Sequence, residues 1–167
     1  MHMSVKPIVK LSLILVAFGL GLGCMACNQN RDKIWEKNDA DLFDALYDGL
    51  LKKSDYGEKK EELNDCEKVF LSMALLEAEV NNGGFDQFFF NSNDQWNDLL
   101  VSSAQAVKAF DIAKICEKAL KIKAEYDGPE DGVIEQLGEC DDAFFQSEDS
   151  IDSLCVQYAR VHRDQFK

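Results

Sequence analysis

Histidine and cysteine carry much of the acid–base and nucleophilic chemistry that proteins perform near neutral pH. This chain has two histidines, His2 and His162, and six cysteines. Cys155 and His162 fall on the same side of one helical segment. Seven residues at ~1.5 Å each separate them by ~10 Å, well beyond hydrogen-bond reach, so they form no dyad. His162 reads instead as a surface or half-buried helix residue. Glu77 and Glu79 stand two apart, and on a helix that spacing sends them to different faces. The segment from Asp127 matches a calcium loop at Asp131, Gly132 and Glu135 but fails where ligands are required, at Pro129 and Gly138. No phosphate-cradling glycine loop and no basic, aromatic patch occurs. These residues predict no catalytic group, no metal and no cofactor.

What is abundant is negative charge. The chain holds 18 basic and 31 acidic residues, a net charge of −13. Between Ala124 and Ala159 there is no Lys or Arg. That window holds Glu125, Asp127, Glu130, Asp131, Glu135, Glu139, Asp141, Asp142, Glu148, Asp149 and Asp152. The preceding helix carries Lys108, Lys114, Lys118, Lys121 and Lys123 against Asp111 and Glu117, too few to cancel the window. The expectation is an acidic face that repels nucleic acid and anionic lipid and attracts a basic protein surface. The alternative is acidity that serves only solubility, in a structural protein of the envelope.

Lys6 and Lys10 precede an apolar run from Leu11 to Leu22, then Gly23-Cys24-Met25-Ala26-Cys27. A positive start, an apolar core and small residues make a secretory signal, and the uncharged run is shorter than the ~20 residues a spanning helix needs. Gly21-Leu22-Gly23-Cys24 resembles a bacterial lipobox, with Cys27 as a second, poorer fit. The reading is a signal peptide over 1–23, a polar tether over 24–37 and an acidic domain over 38–167. It is exported and held at the cell envelope by lipid on Cys24 or Cys27, touching the membrane only there. Removing Lys6 and Lys10 leaves 16 basic residues, a mature charge of −15. Cys66, Cys116, Cys140 and Cys155 then allow either disulfides or four buried thiols. At most two bridges are expected, in a fold that survives reduction.

The elements that must carry the charge are helical. Asn38 is a candidate N-cap, with Asp39 and Asp41 in the favoured first turn and Leu42, Phe43, Leu46, Tyr47 and Leu50 on one face. Cys66, Val69, Met73, Leu76 and Val80 repeat at helical spacing until Asn81-Asn82-Gly83-Gly84 stops them. A short aromatic helix with Phe85, Phe88 and Phe89 follows. Trp96, Leu100, Ala104 and Val107 mark the next helix, and Ile112, Ile115, Cys116, Ala119 and Ile122 another. Asp127 to Gly132 reads as a loop, followed by a short apolar segment near Val133–Leu137 and terminal helices from Phe144 to Phe166. No run alternates as a strand would. The class is all-α, a compact multi-helix bundle-like fold.

The segment Glu79-Val80-Asn81-Asn82-Gly83-Gly84-Phe85-Asp86-Gln87-Phe88-Phe89-Phe90-Asn91 resembles the bacterial DNA-mimic-protein C-terminal domain family, long catalogued as a domain of unknown function. The likeness extends to 113–119 and to a terminal block with Asp142, Phe144, Phe145, Glu148, Asp149, Tyr158 and Phe166. It implies a helical fold without catalysis, whose carboxylates imitate DNA phosphates on a basic DNA-binding protein. An immunity-type inhibitor is a second form of the same idea. The residues of the motif, Asn82, Gly83, Gly84, Phe85, Gln87, Phe88, Phe89 and Asn91, also have a packing reading. Gly83 ends a helix, Phe85 and Phe88 plug the core, and Gln87 and Asn91 share a side one turn apart.

Overall fold

A computed structural model describes residues 33–125 and 130–166. The signal segment, Cys24, Cys27, Asp127 and the side chains of Glu130 and Asp131 lie outside the described residues.

The first helix, α1 (Asp39–Lys53), starts where its cap stands: Asn38 Oδ1 accepts from the Asp41 amide at 3.0 Å. Leu42, Leu46 and Leu50, one turn apart, form its buried stripe. It ends at Ser54, a buried residue whose hydroxyl donates to the Leu50 carbonyl at 2.8 Å and accepts from the Gly57 amide at 3.1 Å. Asp55, Tyr56 and Gly57 then all take left-handed φ values of 52°, 59° and 92°. Gly57 fits that conformation freely, whereas Tyr56 is held in it by a bond from its amide to the Leu51 carbonyl at 2.7 Å.

A short 3₁₀ turn (Lys60–Glu62) leads into α2 (Asp65–Ser92), the helix on which α1, α3, α5 and α6 all pack. Asn64 and Glu67 close a capping box at its start. Glu67 is fully buried, and Lys53 reaches both of its oxygens at 2.8 Å, tying the end of α1 to the start of α2. At Gly83–Gly84 the helix breaks and restarts. Residues 85–92 form a second, aromatic limb that buries Phe85, Phe88 and Phe89. The stop and the aromatic restart follow the sequence expectation. Three buried phenylalanines at about 2 kcal/mol each outweigh about 1–3 kcal/mol for one sparsely populated backbone conformation.

The remaining helices are α3 (Leu100–Val107), α4 (Phe110–Glu125), α5 (Glu130–Gln146) and α6 (Ile151–Val161), with a 3₁₀ turn at Arg163–Gln165. Among the described residues there is no strand, and the all-α expectation holds. The structure corrects the sequence reading in three places. Trp96 is buried in the turns ahead of α3 rather than on the helix. α5 begins at Glu130, so the expected loop is shorter and the "short apolar segment" is a 17-residue helix. Acids directly after a proline are a helix-start signal, since proline suits the first turn and carboxylates suit its dipole. Third, Ile34 to Lys37, which the sequence reading gives to the tether, belong to the compact unit that begins at Ile34. Trp35 packs edge-on against Phe166 at 6.1 Å, and Arg160 donates to the Trp35 and Lys37 carbonyls at 3.1 Å and to Asp39 at 2.7 Å. The beginning and end of the domain thus close on each other.

Cys66, Cys116, Cys140 and Cys155 are free thiols, the last three buried. Burial pushes the Cys116 thiol up to about 12, and likewise raises Cys140 and Cys155. These are apolar packing groups rather than nucleophiles.

Candidate functional site

The kink in α2 is built by two glycines that make room for side chains. Gly83 is extended (φ −167°), and a Cβ there would collide with the Gln87 side-chain amide. Gly84 has φ 79° and ψ −176°, a region open in practice to glycine alone. A Cβ on Gly84 would strike the carboxylate of Asp141, which comes from α5. That carboxylate accepts from the Phe85 amide at 2.8 Å, so it caps the aromatic limb across 56 residues of sequence. On the other side Glu79 Oε2 accepts from Gln87 Nε2 at 2.8 Å and Asn91 Nδ2 at 2.7 Å. One carboxylate therefore straps the two limbs together, and Gln87 and Asn91 do share a side. Lys123 of α4 sits 4.8 Å from the Phe89 ring centre and pairs with Asp94 at 2.8 Å, holding the limb from outside.

Around this kink the acids of the sequence window separate into two groups. Some are engaged internally. Asp141 is a cap, and partial burial raises its pKa, opposed by the Phe85 amide and helped by Asp142 and Asp86. Asp149 accepts from the Asp111 and Ile112 amides at 2.9 and 3.3 Å, capping α4 from a distant loop. Glu139 pairs with Lys118 at 2.8 Å and Glu125 lies 3.9 Å from Lys121. Asp152 accepts from the Ser150 hydroxyl and the Ser153 amide. Glu135, Asp142 and Glu148 form the other group. They are exposed, and none has a hydrogen-bond or cationic partner among the described residues.

Two acids outside the window also bear on the site. Asp86, exposed on the aromatic limb, lies close enough to Asp141 to act on its titration and is likewise unpartnered among the described residues. Glu77 faces α6, where burial first, and Asp152 second, push its pKa up to about 7. Glu77 and Glu79 do point to different faces of α2, Glu77 toward α6 and Glu79 toward its own aromatic limb. Sequence counting missed Asp86 and Glu77 because their stretch, 69–107, though also free of Lys and Arg, holds only five acids and does not stand out by density.

The Glu77 shift sets a pH dependence. Its folded pKa of about 7 exceeds the unfolded value near 4.5, so the folded state holds its proton longer. Stability should fall as pH rises from about 4.5 to about 7 and level off above. Glu77→Gln should remove that part of the slope and stabilise the protein at pH 8. Urea midpoints across pH check this, and an unchanged slope in the variant would assign the effect elsewhere.

His162 stacks on Tyr158 with ring centres 4.4 Å apart, and Cys155 is buried within α6. Among the described residues no group of His, Cys, Asp and Glu converges as a metal site. No described helix is long and apolar enough to cross a membrane.

The profile of DMP19-like proteins matches residues 61–162. The chain belongs to the DMP19-like family. The match runs from the 3₁₀ turn before α2 to the end of α6, and so contains the kink, both trans caps and the whole acidic window. It is the DNA-mimic family that the Asn-Gly-Gly-Phe segment resembles. DMP19-like proteins are of the DNA-mimic type, which implies a basic DNA-binding protein as partner, and the family is not one of known enzymes. No curated protein and no solved structure gives a significant match.

Proposed function

We propose that this DMP19-like protein is a non-enzymatic inhibitor whose acidic surface beside the α2 kink occupies the DNA-binding face of a basic protein. The observation that carries the reading is the sorting of its carboxylates. Asp86, Glu135, Asp142 and Glu148 are exposed and uncompensated among the described residues, while Glu139 and Glu125 are matched by Lys118 and Lys121 of α4. A DNA duplex presents one negative charge per ~1.7 Å of axis, so a surface that replaces it needs carboxylates free of internal cations. The fold supplies rigidity: Asp141 and Glu79 fix the kink from which Asp86 projects, so the charges need no ordering on binding. Affinity capture on the full chain should retain a basic protein that duplex DNA elutes. A retained partner indifferent to DNA would oppose the reading.

We further infer from the leader that the protein acts outside the cytoplasm, lipidated at Cys24. Its partner is then a basic protein that reaches the envelope, as an immunity-type inhibitor would require. A fatty-acid probe should label the wild type and not Cys24→Ser. Loss of label only on Cys27→Ser would move the anchor to the second cysteine, and an unlabelled wild type would refute lipidation.

A further inference from the structure

The strap at Glu79 does more than join two limbs. Glu79 lines a cleft of about 90 Å³ with Tyr56, Glu58, Asn91, Ser92 and Trp96. That is room for about three water molecules, far below the ~300 Å³ at which cofactor and drug-sized pockets begin. The space suits the head of one side chain.

Its lining indicates which one. Glu79 is half-buried, with one oxygen holding Gln87 and Asn91. It has no cationic partner among the described residues, and neither has Glu58 at the rim. Lys60 lies 5.8 Å from the Trp96 ring centre but is engaged by Asp98 at 2.9 Å and the Gln95 carbonyl at 2.6 Å. Tyr56 stands at the mouth, 73% exposed, on the left-handed backbone of the Asp55–Gly57 turn. Strained, non-glycine backbone that presents an exposed aromatic is a feature of binding sites rather than of packing.

We propose that this cleft is a socket for a single arginine side chain of the basic partner, a proposal that rests on the inhibitor reading above. A guanidinium offers a planar fork of N–H donors to Glu79 and Glu58 and stacks on aromatic faces. A lysine ammonium is a compact point charge that would meet one carboxylate and leave the rim aromatic idle. The motif then has a reason beyond packing. Gly83 makes room for Gln87, and Gln87 with Asn91 aims Glu79 into the cleft wall. The kink thus carries the mimic surface on one side and the socket on the other.

The probe is N-acetyl-arginine amide, titrated into the full chain and followed at the Trp96 indole N–H, one of two tryptophan signals. Saturable shifts are expected, with N-acetyl-lysine amide at least ~3-fold weaker. Tyr56→Ala, at an exposed site, should weaken arginine binding about 3-fold, a single exposed cation–π contact. Glu79→Gln should weaken it at least ~10-fold, about 1.4 kcal/mol. Amide substitution of Asp86, Glu135, Asp142 and Glu148 should leave it unchanged. Unsaturable shifts, or equal binding by Tyr56→Ala and Glu79→Gln, would overturn the socket. The two readings fail separately. A partner that DNA displaces but that ignores both substitutions refutes the socket alone. Saturable arginine binding without any DNA-displaced partner refutes the inhibitor reading and leaves the socket as an arginine site.

Discussion

Gly84→Ala is expected to destabilise the protein by about 3 kcal/mol or more, the largest effect of any glycine substitution in the described residues. The φ of 79° with ψ of −176° costs a non-glycine residue about 1–3 kcal/mol by itself. The added methyl also meets the Asp141 carboxylate, which must move and so release the Phe85 amide it caps. Loss of a cap alone costs about 1 kcal/mol. Asp141→Ala should therefore cost about 1–2 kcal/mol, and the double variant less than the sum, because the alanine at 141 removes the clash. Gly49→Ala is the control. Gly49 lies inside α1 with nothing within 4 Å of a new Cβ, and the change should stabilise by about 0.5–1 kcal/mol. Urea melts of the four variants decide the matter. A Gly84→Ala protein as stable as the wild type would mean that the kink is not pinned as described.

The second large effect is kinetic. Replacing Asp86, Glu135, Asp142 and Glu148 by their amides removes four charges that have no partner among the described residues, so the fold should be preserved. Association with the captured partner should slow by about tenfold or more at low salt, while dissociation changes little, because steering acts on encounter. The difference should fade in about 1 M salt, where screening shortens to ~3 Å. Glu139→Gln, which removes a carboxylate already matched by Lys118, should slow association far less. Equal slowing by that single change would show that overall charge, rather than this surface, matters.

The choice of those four residues differs from what the sequence alone recommends, and the difference is instructive. Composition identifies a base-free window of eleven acids, from which Glu130, Asp131, Asp141 and Asp142 look interchangeable. Asp141 is not, because its carboxylate reaches an amide 56 positions away, and Asp149 reaches amides 37 and 38 positions away. Spacing rules see partners within a turn or two and are blind to caps supplied by another helix. Local signals succeeded where the physics is local: Asn38 caps α1, and the glycine pair ends the first limb of α2 with the phenylalanines buried beyond it. They failed at Glu130, where a helix start was masked by loop-like composition, and at Trp96, whose burial depends on the cleft formed by three separate segments. Glu79 shows both sides. Its separation from Glu77 was legible from the 3.6-residue period, but its bonds to Gln87 and Asn91 arise only because the helix turns at Gly84.

If carboxylates beside the kink stand in for DNA phosphates, chain and duplex must compete for one face of the partner. The captured protein is first bound to a labelled duplex of about 20 base pairs, and the full chain is then titrated in at fixed, moderate salt. The duplex should be released in full at saturation. Release should weaken together with the association rate when Asp86, Glu135, Asp142 and Glu148 become amides. A ternary complex in which duplex and chain sit on the partner together would contradict the mimicry.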